Sequence, residues 1–189
     1  MKIWTVPNSL TFIRIALIPC FVIIFYIPFP NHRWVVAALF LVAAFTDWLD
    51  GFLARHLKQT SPFGEFLDPV ADKLIVSTAL VLLVSEHPSF LVAIPSLVIV
   101  AREIVVSALR EWMAELGKRA IVKVSWVGKA KTAIQMVSIL ILLSQPAGYN
   151  SAVITGLALM YVAVILTVWS MLVYVKAALR SFELLKTTS

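Results

Sequence analysis

The chain has little of what holds small secreted domains together. Its 189 residues include one cysteine, Cys20, so neither a disulfide framework nor a cysteine metal site is available. Cys20 sits among apolar residues and reads as a small buried hydrophobe. Charge is scarce too. Asp, Glu, Lys and Arg make up 14% of the chain against 61% hydrophobic residues, and mean hydropathy is +0.95. Soluble domains are about 45–50% apolar, so this is the composition of an integral membrane protein. Repeats and low-complexity tracts are absent. The apolar runs also lack the two-residue alternation of a membrane β-barrel. No small-residue cleavage site follows the first run, Leu10 to Ile27, which is longer than a signal core. It is expected to remain as a spanning helix.

One such helix needs about 20 residues, which leaves room here for about six and for no large soluble domain. The expectation is a single all-α membrane domain over residues 1–189. Six apolar segments fall near 8–28, 34–55, 69–86, 90–112, 126–145 and 149–176. Pro28, Pro30 and Asn31, then His87 and Pro88, then Gln145, Pro146 and Gly148 mark turns on one side. Residues 56–68 and 113–125 are read as polar connections on the other. Of the 16 Lys and Arg residues, only Arg33 falls in the first group of turns. The positive-inside rule therefore puts both termini and both polar connections in the cytoplasm. The formal net charge of +6 is read as this topology signal and as attraction to anionic lipid, not as nucleic-acid binding. Trp4, Trp34, Trp112 and Trp126 lie near segment boundaries, as interfacial anchors do. His32, His56 and His87 have no ligand spacing and read as surface residues.

What charge there is has been concentrated. All four aspartates, Asp47, Asp50, Asp68 and Asp72, lie within one stretch of 26 residues, at the end of the second segment and the start of the third. A charged residue at membrane depth costs about 2.5–3.5 kcal/mol on insertion scales, so such residues mark function by default. Asp47 and Asp50 are three apart, Asp68 and Asp72 four apart, and either spacing puts two carboxylates on one helix face. Antiparallel neighbours would bring both pairs to one depth. Oxygen donors in this number suit hard cations such as Mg²⁺ or Mn²⁺, two of which can bind about 3.5–4 Å apart and clamp a diphosphate. Gly51, Ala54 and Gly64 leave room for a ligand against the backbone, and Arg55 offers phosphate a planar donor fork. A plainer reading exists for Asp68, which precedes Pro69 and could simply cap a helix. Asp47 could merely face an aqueous vestibule.

The run Asp-x2-Asp-Gly-x2-Ala-Arg-x8-Gly-x3-Asp-x3-Asp, from Asp47 to Asp72, resembles the signature of the CDP-alcohol phosphatidyltransferase family at every fixed position. The stretches PNSLTFIRIALIP, AREIVVSALREWMAELGKR and VSWVGKAKTAIQM are similar to bacterial members that use glycerol 3-phosphate. This resemblance implies a six-helix homodimer of the CDP-alcohol phosphotransferase fold in the bacterial inner membrane, with its active site facing the cytoplasm. It implies transfer of a phosphatidyl group from CDP-diacylglycerol to sn-glycerol 3-phosphate with release of CMP. By the same resemblance Asp47, Asp50, Asp68 and Asp72 hold two divalent cations, and Asp72 is also the general base. Asn8, Thr11, Asp50, Gly51, Ala54, Arg55 and Gly64 then line the cytidine diphosphate pocket.

An acceptor that carries phosphate needs cations apart from the metals. Arg102 and Arg110, two turns apart on the fourth segment, and Lys129 and Lys131 after Gly128 are the candidates. The alternative for the lysines is snorkelling toward the membrane surface. Arg14, at helical spacing from Thr11, is either a diphosphate contact or an anchor, and Glu103 is a partner for one of the cations. The aspartate signature reads only the shared lipid donor, so serine, inositol phosphate or phosphatidylglycerol stay open as acceptors. A membrane prenyltransferase would place its two Asp motifs farther apart. A cation transporter would continue polar residues across the membrane, where Val35–Ala44 and Ile75–Val84 offer almost none.

Overall fold

Prolines and small polar caps, rather than the nearly uniform apolar composition, set where the helices begin. The computed structural model describes the backbone of residues 6–57, 62–115 and 126–186. Within these it describes the side chains of 8–46, 64, 66–115, 128, 130–176 and 179. Six helices result: α1 (Val6–Tyr26), α2 (His32–Leu57), α3 (Pro62–Glu86), α4 (Phe90–Glu115), α5 (Trp126–Ser144) and α6 (Ser151–Lys186). Asn31, at φ 61°, supplies the left-handed residue that turns the chain into α2, a conformation asparagine tolerates better than most. Ser89 Oγ accepts a bond from Leu91 N (3.3 Å) ahead of α4. Asn150 Oδ1 does the same for Val153 N (2.8 Å) ahead of α6. Both satisfy donors that a helix start leaves without partners.

Two boundaries differ from the sequence reading. The third helix starts at Pro62, not near 69, so Pro69 lies inside it and Asp68 does not cap it. Proline suits a first helical position, and Pro62 is the proline that takes it. The sixth helix runs on to Lys186, about 54 Å at 1.5 Å per residue, well past the ~30 Å of a bilayer core. Among the described residues three helices, through Asn8–Tyr26, Phe90–Glu115 and Ser151–Lys176, are long and apolar enough to cross a membrane. Shorter apolar stretches run through His32–Thr46 and Ala130–Ser144.

α3 touches α1, α2, α4 and α5, which makes it the central helix. Alanines allow that crowding: Ala71 and Ala79 are fully buried, one turn from Ile75 and Leu83 on the same face. Phe21, Phe40, Ile99, Ile139 and Met160 extend one core through the other five helices, with the Phe21 and Phe40 rings 6.4 Å apart. The outside is as apolar as the inside. Ile23, Leu97, Ile165 and Trp169 are exposed, as on a surface that faces lipid. Cys20 is exposed as well, which corrects its reading as a core residue. Where lipid replaces water, an apolar side chain gains nothing by turning inward.

At the end opposite the aspartates, Arg33 ties three helices together. Its Nη2 lies 2.6 Å from Glu86 Oε1, and its Nη1 donates to the Gln145 carbonyl at 3.1 Å. His87 is buried beside this pair, contrary to its reading as a surface residue. The turns of this side fold over one another, and sequence spacing does not register that. Burial holds the His87 pKa below its usual 6.5, with Arg33 acting the same way and the Leu142 carbonyl and Glu86 opposing.

Two outcomes follow from this packing. A Cβ on Gly156 would sit 2.9 Å from Leu142 Cγ, while the Gly156 carbonyl accepts a 2.7 Å bond from Ser138. Gly156→Ala should therefore cost about 1–3 kcal/mol, read as a lower thermal midpoint in detergent. An unchanged midpoint would mean that α5 and α6 have room to separate. For His87 the folded pKa is depressed, so below pH 6.5 the unfolded chain binds the extra proton more readily. Its contribution to stability should be complete above pH 6.5 and decline as pH falls. His87→Gln should make the melting midpoint less sensitive to acid between about pH 7.5 and 5.5. Equal acid sensitivity in both proteins would exclude His87 as the cause.

Candidate active site

α1 is apolar along most of its length but buries a polar stripe near its start. Asn8, Thr11 and Arg14 are all buried, followed by Phe21 on the core side. Their spacing keeps them on the flank that meets α3. There Thr11 Oγ1 donates a 2.6 Å hydrogen bond to Asp68 Oδ1. Such a short bond to a carboxylate is the charge-assisted kind and fixes the acid's orientation. Gly64, Asp68 and Asp72 succeed one another at four-residue steps along α3, which sets them on one face. Gly64 is buried on this face, near the start of the helix.

Asp68 and Asp72 both line a cavity of about 640 Å³ between α3 and α4. Asp72 also lines a second cavity of about 280 Å³ that opens among α3, α4, α5 and α6. The second cavity is strongly cationic. Arg102 and Lys131 reach it with side chains only 8% and 5% exposed, and Arg110 joins them. Glu103 holds the two buried cations. Its Oε1 accepts a 2.6 Å bond from Arg102 Nη1 and lies 3.9 Å from Lys131 Nζ. Arg110 is held separately, its Nη2 donating to Tyr174 OH at 2.9 Å and its guanidinium 5.2 Å from the centre of that ring. The eight-residue step from Arg102 to Arg110 brings both to the same cavity, as two turns of one helix face should.

Not every candidate can be placed. Asp47, Asp50, Gly51, Ala54 and Arg55 lie on the last three turns of α2, which packs against α1 and α3. Their side chains, and that of Lys129 near the start of α5, lie outside the described residues. His56 does too. Among the described residues no three carboxylate, imidazole or thiol groups stand together as metal ligands. The donors described here are carboxylate and hydroxyl oxygens, a set that fits a hard divalent cation rather than a soft one. Sequence reasoning left the partner of Glu103 open; it serves both Arg102 and Lys131. Tyr174 and the buried Gln135, which also line the cationic cavity, were missed. Tyr174 was legible only as an aromatic near the end of an apolar run, where an interfacial anchor is the commoner meaning.

The family model described as CDP-alcohol phosphatidyltransferase matches residues 4–169 of the chain. Curated relatives agree. The chain is 51% identical over 175 residues to the CDP-diacylglycerol–glycerol-3-phosphate 3-phosphatidyltransferase of Salmonella typhimurium, covering 93% of this chain and 95% of the relative. Proteins of the same description from Shigella flexneri and Pectobacterium atrosepticum are 51% and 50% identical over the same coverage.

The Thr11–Asp68 bond gives a direct test of the aspartate end as a metal site. Outer groups that orient a ligand are worth about 10–100-fold in metal affinity. Thr11→Val should therefore weaken Mn²⁺ binding by about that factor in a direct titration, and Thr11→Ser should restore it. Equal affinity in all three proteins would detach Asp68 from metal binding.

Proposed function

The chain belongs to the CDP-alcohol phosphatidyltransferase family, and on that premise we infer that it transfers the phosphatidyl group of CDP-diacylglycerol to sn-glycerol 3-phosphate. The products are phosphatidylglycerophosphate and CMP. One observation carries the reading at the level of the site. Asp72 lines both the cavity that holds Asp68 and the cavity walled by Arg102, Arg110 and Lys131. A group in that position stands between a donor held by aspartates and an acceptor held by cations.

Asp47, Asp50, Asp68 and Asp72 would hold two divalent cations, Mg²⁺ or Mn²⁺. When bound, these neutralise the diphosphate and make a nearby hydroxyl more acidic. The remaining steps belong to the chain's own residues. Asn8, Thr11, Asp50, Gly51, Ala54, Arg55 and Gly64 would line the cytidine diphosphate pocket, and Arg14 on the α1 stripe would be a further diphosphate contact. Arg102, Arg110, Lys129 and Lys131 receive the phosphate of the acceptor and turn its hydroxyl toward the donor. Asp72 takes the hydroxyl proton as the oxygen attacks the β-phosphorus. The bond from that phosphorus to the CMP oxygen breaks on the opposite side. Little covalent work is asked of the protein, because phosphoryl transfer of this kind depends on alignment and charge neutralisation.

The same reading makes residues 1–189 one catalytic domain whose six helices all cross the bilayer, with both termini in the cytoplasm. The distribution of Lys and Arg supports that orientation, and three helices already meet the length and hydropathy of a span. The bacterial relatives support an inner-membrane location, and a homodimer is the proposed assembly.

The test is an acceptor panel on detergent-solubilised protein, with CDP-diacylglycerol and Mg²⁺ supplied and CMP release measured. Release should occur with glycerol 3-phosphate and stay near background with serine, inositol phosphate and phosphatidylglycerol. Asp72→Asn should lower turnover by at least ~10²-fold, the usual worth of a positioned base. Turnover with a different acceptor would retain the donor chemistry and overturn the acceptor pocket. An active Asp72→Asn variant would remove the proposed base.

A further inference from the structure

The cationic cavity contains a contradiction in charge. A pocket meant for a phosphate already has an anion in it. Glu103 Oε1 lies 2.6 Å from Arg102 Nη1 and 3.9 Å from Lys131 Nζ, between two cations that are both more than nine-tenths buried. A single carboxylate oxygen does not satisfy them. The Nε of Arg102 is buried and has no hydrogen-bond partner among the described residues. The Lys131 contact is too long for a hydrogen bond. Glu103 and Arg102 also line both cavities, so their pair stands in the wall that the two share.

We propose that Glu103 is a displaceable counter-ion that takes the place of the acceptor's phosphate while the pocket is empty, and so makes the pocket selective for dianionic acceptors. This rests on the acceptor reading given above. A phosphate dianion offers three oxygens, enough to meet Arg102 Nη1, Lys131 and Arg110 in the one cavity, which one carboxylate oxygen does not. Its second charge also gives it an advantage over the carboxylate that a neutral alcohol or a monoanion lacks. Glu103 is 28% exposed, so when displaced it has water to turn to and need not be buried without a partner. Specificity obtained in this way is negative: the pocket carries a built-in competitor that only the right charge overcomes. Glu103 is a positioning residue in this scheme and does not touch the reacting atoms.

The test compares the full-length wild-type protein with Glu103→Gln and Glu103→Asp in detergent. Inorganic sulfate is titrated calorimetrically, and glycerol 3-phosphate kinetics are measured alongside. Glu103→Gln keeps the side chain's shape and removes its charge. Sulfate should bind it about three- to tenfold more tightly than wild type, and the KM for glycerol 3-phosphate should fall by a similar factor. The change in kcat should be smaller than the change in KM. Glu103→Asp retains the charge and should stay close to wild type in both. A neutral variant that binds sulfate no better than wild type, or more weakly, overturns the proposal, and so does Glu103→Asp behaving like Glu103→Gln. Should Glu103→Gln fail to fold, Glu103→Ser supplies the neutral variant. The sulfate titration needs no turnover, which separates the two readings. Wild type that binds sulfate but releases no CMP with glycerol 3-phosphate would overturn the function and leave the counter-ion to be judged. Absence of sulfate binding from every protein would overturn the counter-ion proposal, and the function would stand or fall on CMP release with glycerol 3-phosphate.

Discussion

Removing charge from water is the constraint on which the rest of this structure depends. Isolated ions in hydrocarbon are too costly to scatter, so a bundle this apolar gathers them where they can answer one another. Arg14, Arg102 and Lys131 are nearly or wholly buried, and all lie on helices, α1, α4 and α5, that pack against α3, which carries Asp68 and Asp72. The Thr11–Asp68 bond, the Arg102–Glu103 pair and the Arg110–Tyr174 contact are local answers to this one problem. Between them and the opposite surface the core is mostly hydrocarbon, from Phe21 and Phe40 to Leu142 and Met160, with Ser138 bonded to the Gly156 carbonyl.

The far end of the bundle solves a smaller version of the problem with a different result. Arg33 is closed off by Glu86 and the Gln145 carbonyl, and Glu86 also accepts from Ala147 N at 3.3 Å. These contacts staple the turns that precede α2, α4 and α6. No cavity with convergent cations accompanies them among the described residues. An ion pair whose partners are both engaged rigidifies, whereas one with an unsatisfied buried donor, as at Arg102 Nε, invites a ligand. In the proposed reading the contrast separates structural charge from functional charge more sharply than counting charges does.

How much of this was legible in the sequence differed between levels of structure. Helix number and order followed from hydropathy and turn residues, because a bilayer imposes a length on every span. The start of α3 did not, since Pro62 and Gly64 let residues 62–68 pass for a loop, and the Asp68–Pro69 pair imitates a helix start. Burial was the weakest reading. Cys20 faces outward and His87 inward, because hydrophobicity stops predicting burial once the solvent is lipid. At the site, residue types and spacing singled out Asp68, Asp72, Arg102, Arg110 and Lys131 as candidates. Glu103 as a shared partner and Tyr174 as a platform depend on how α4, α5 and α6 meet, which no local pattern encodes.

The arrangement divides recognition between two halves of the bundle. In the proposed reading, α1, α2 and the start of α3 hold the lipid nucleotide, while α4 and α5 hold the acceptor's phosphate. Asp72 is the described aspartate that borders both cavities. Such a division lets the acceptor half change without disturbing the donor half, provided the residue between them keeps its place. α3 is suited to keep it there. It touches four other helices and fits among them through alanines fully buried at 71 and 79, so the face carrying Asp68 and Asp72 has little freedom to rotate. In that reading the rigidity that a proton acceptor needs comes from this hydrocarbon packing, and acceptor choice is left to side chains such as Glu103 that retain access to water.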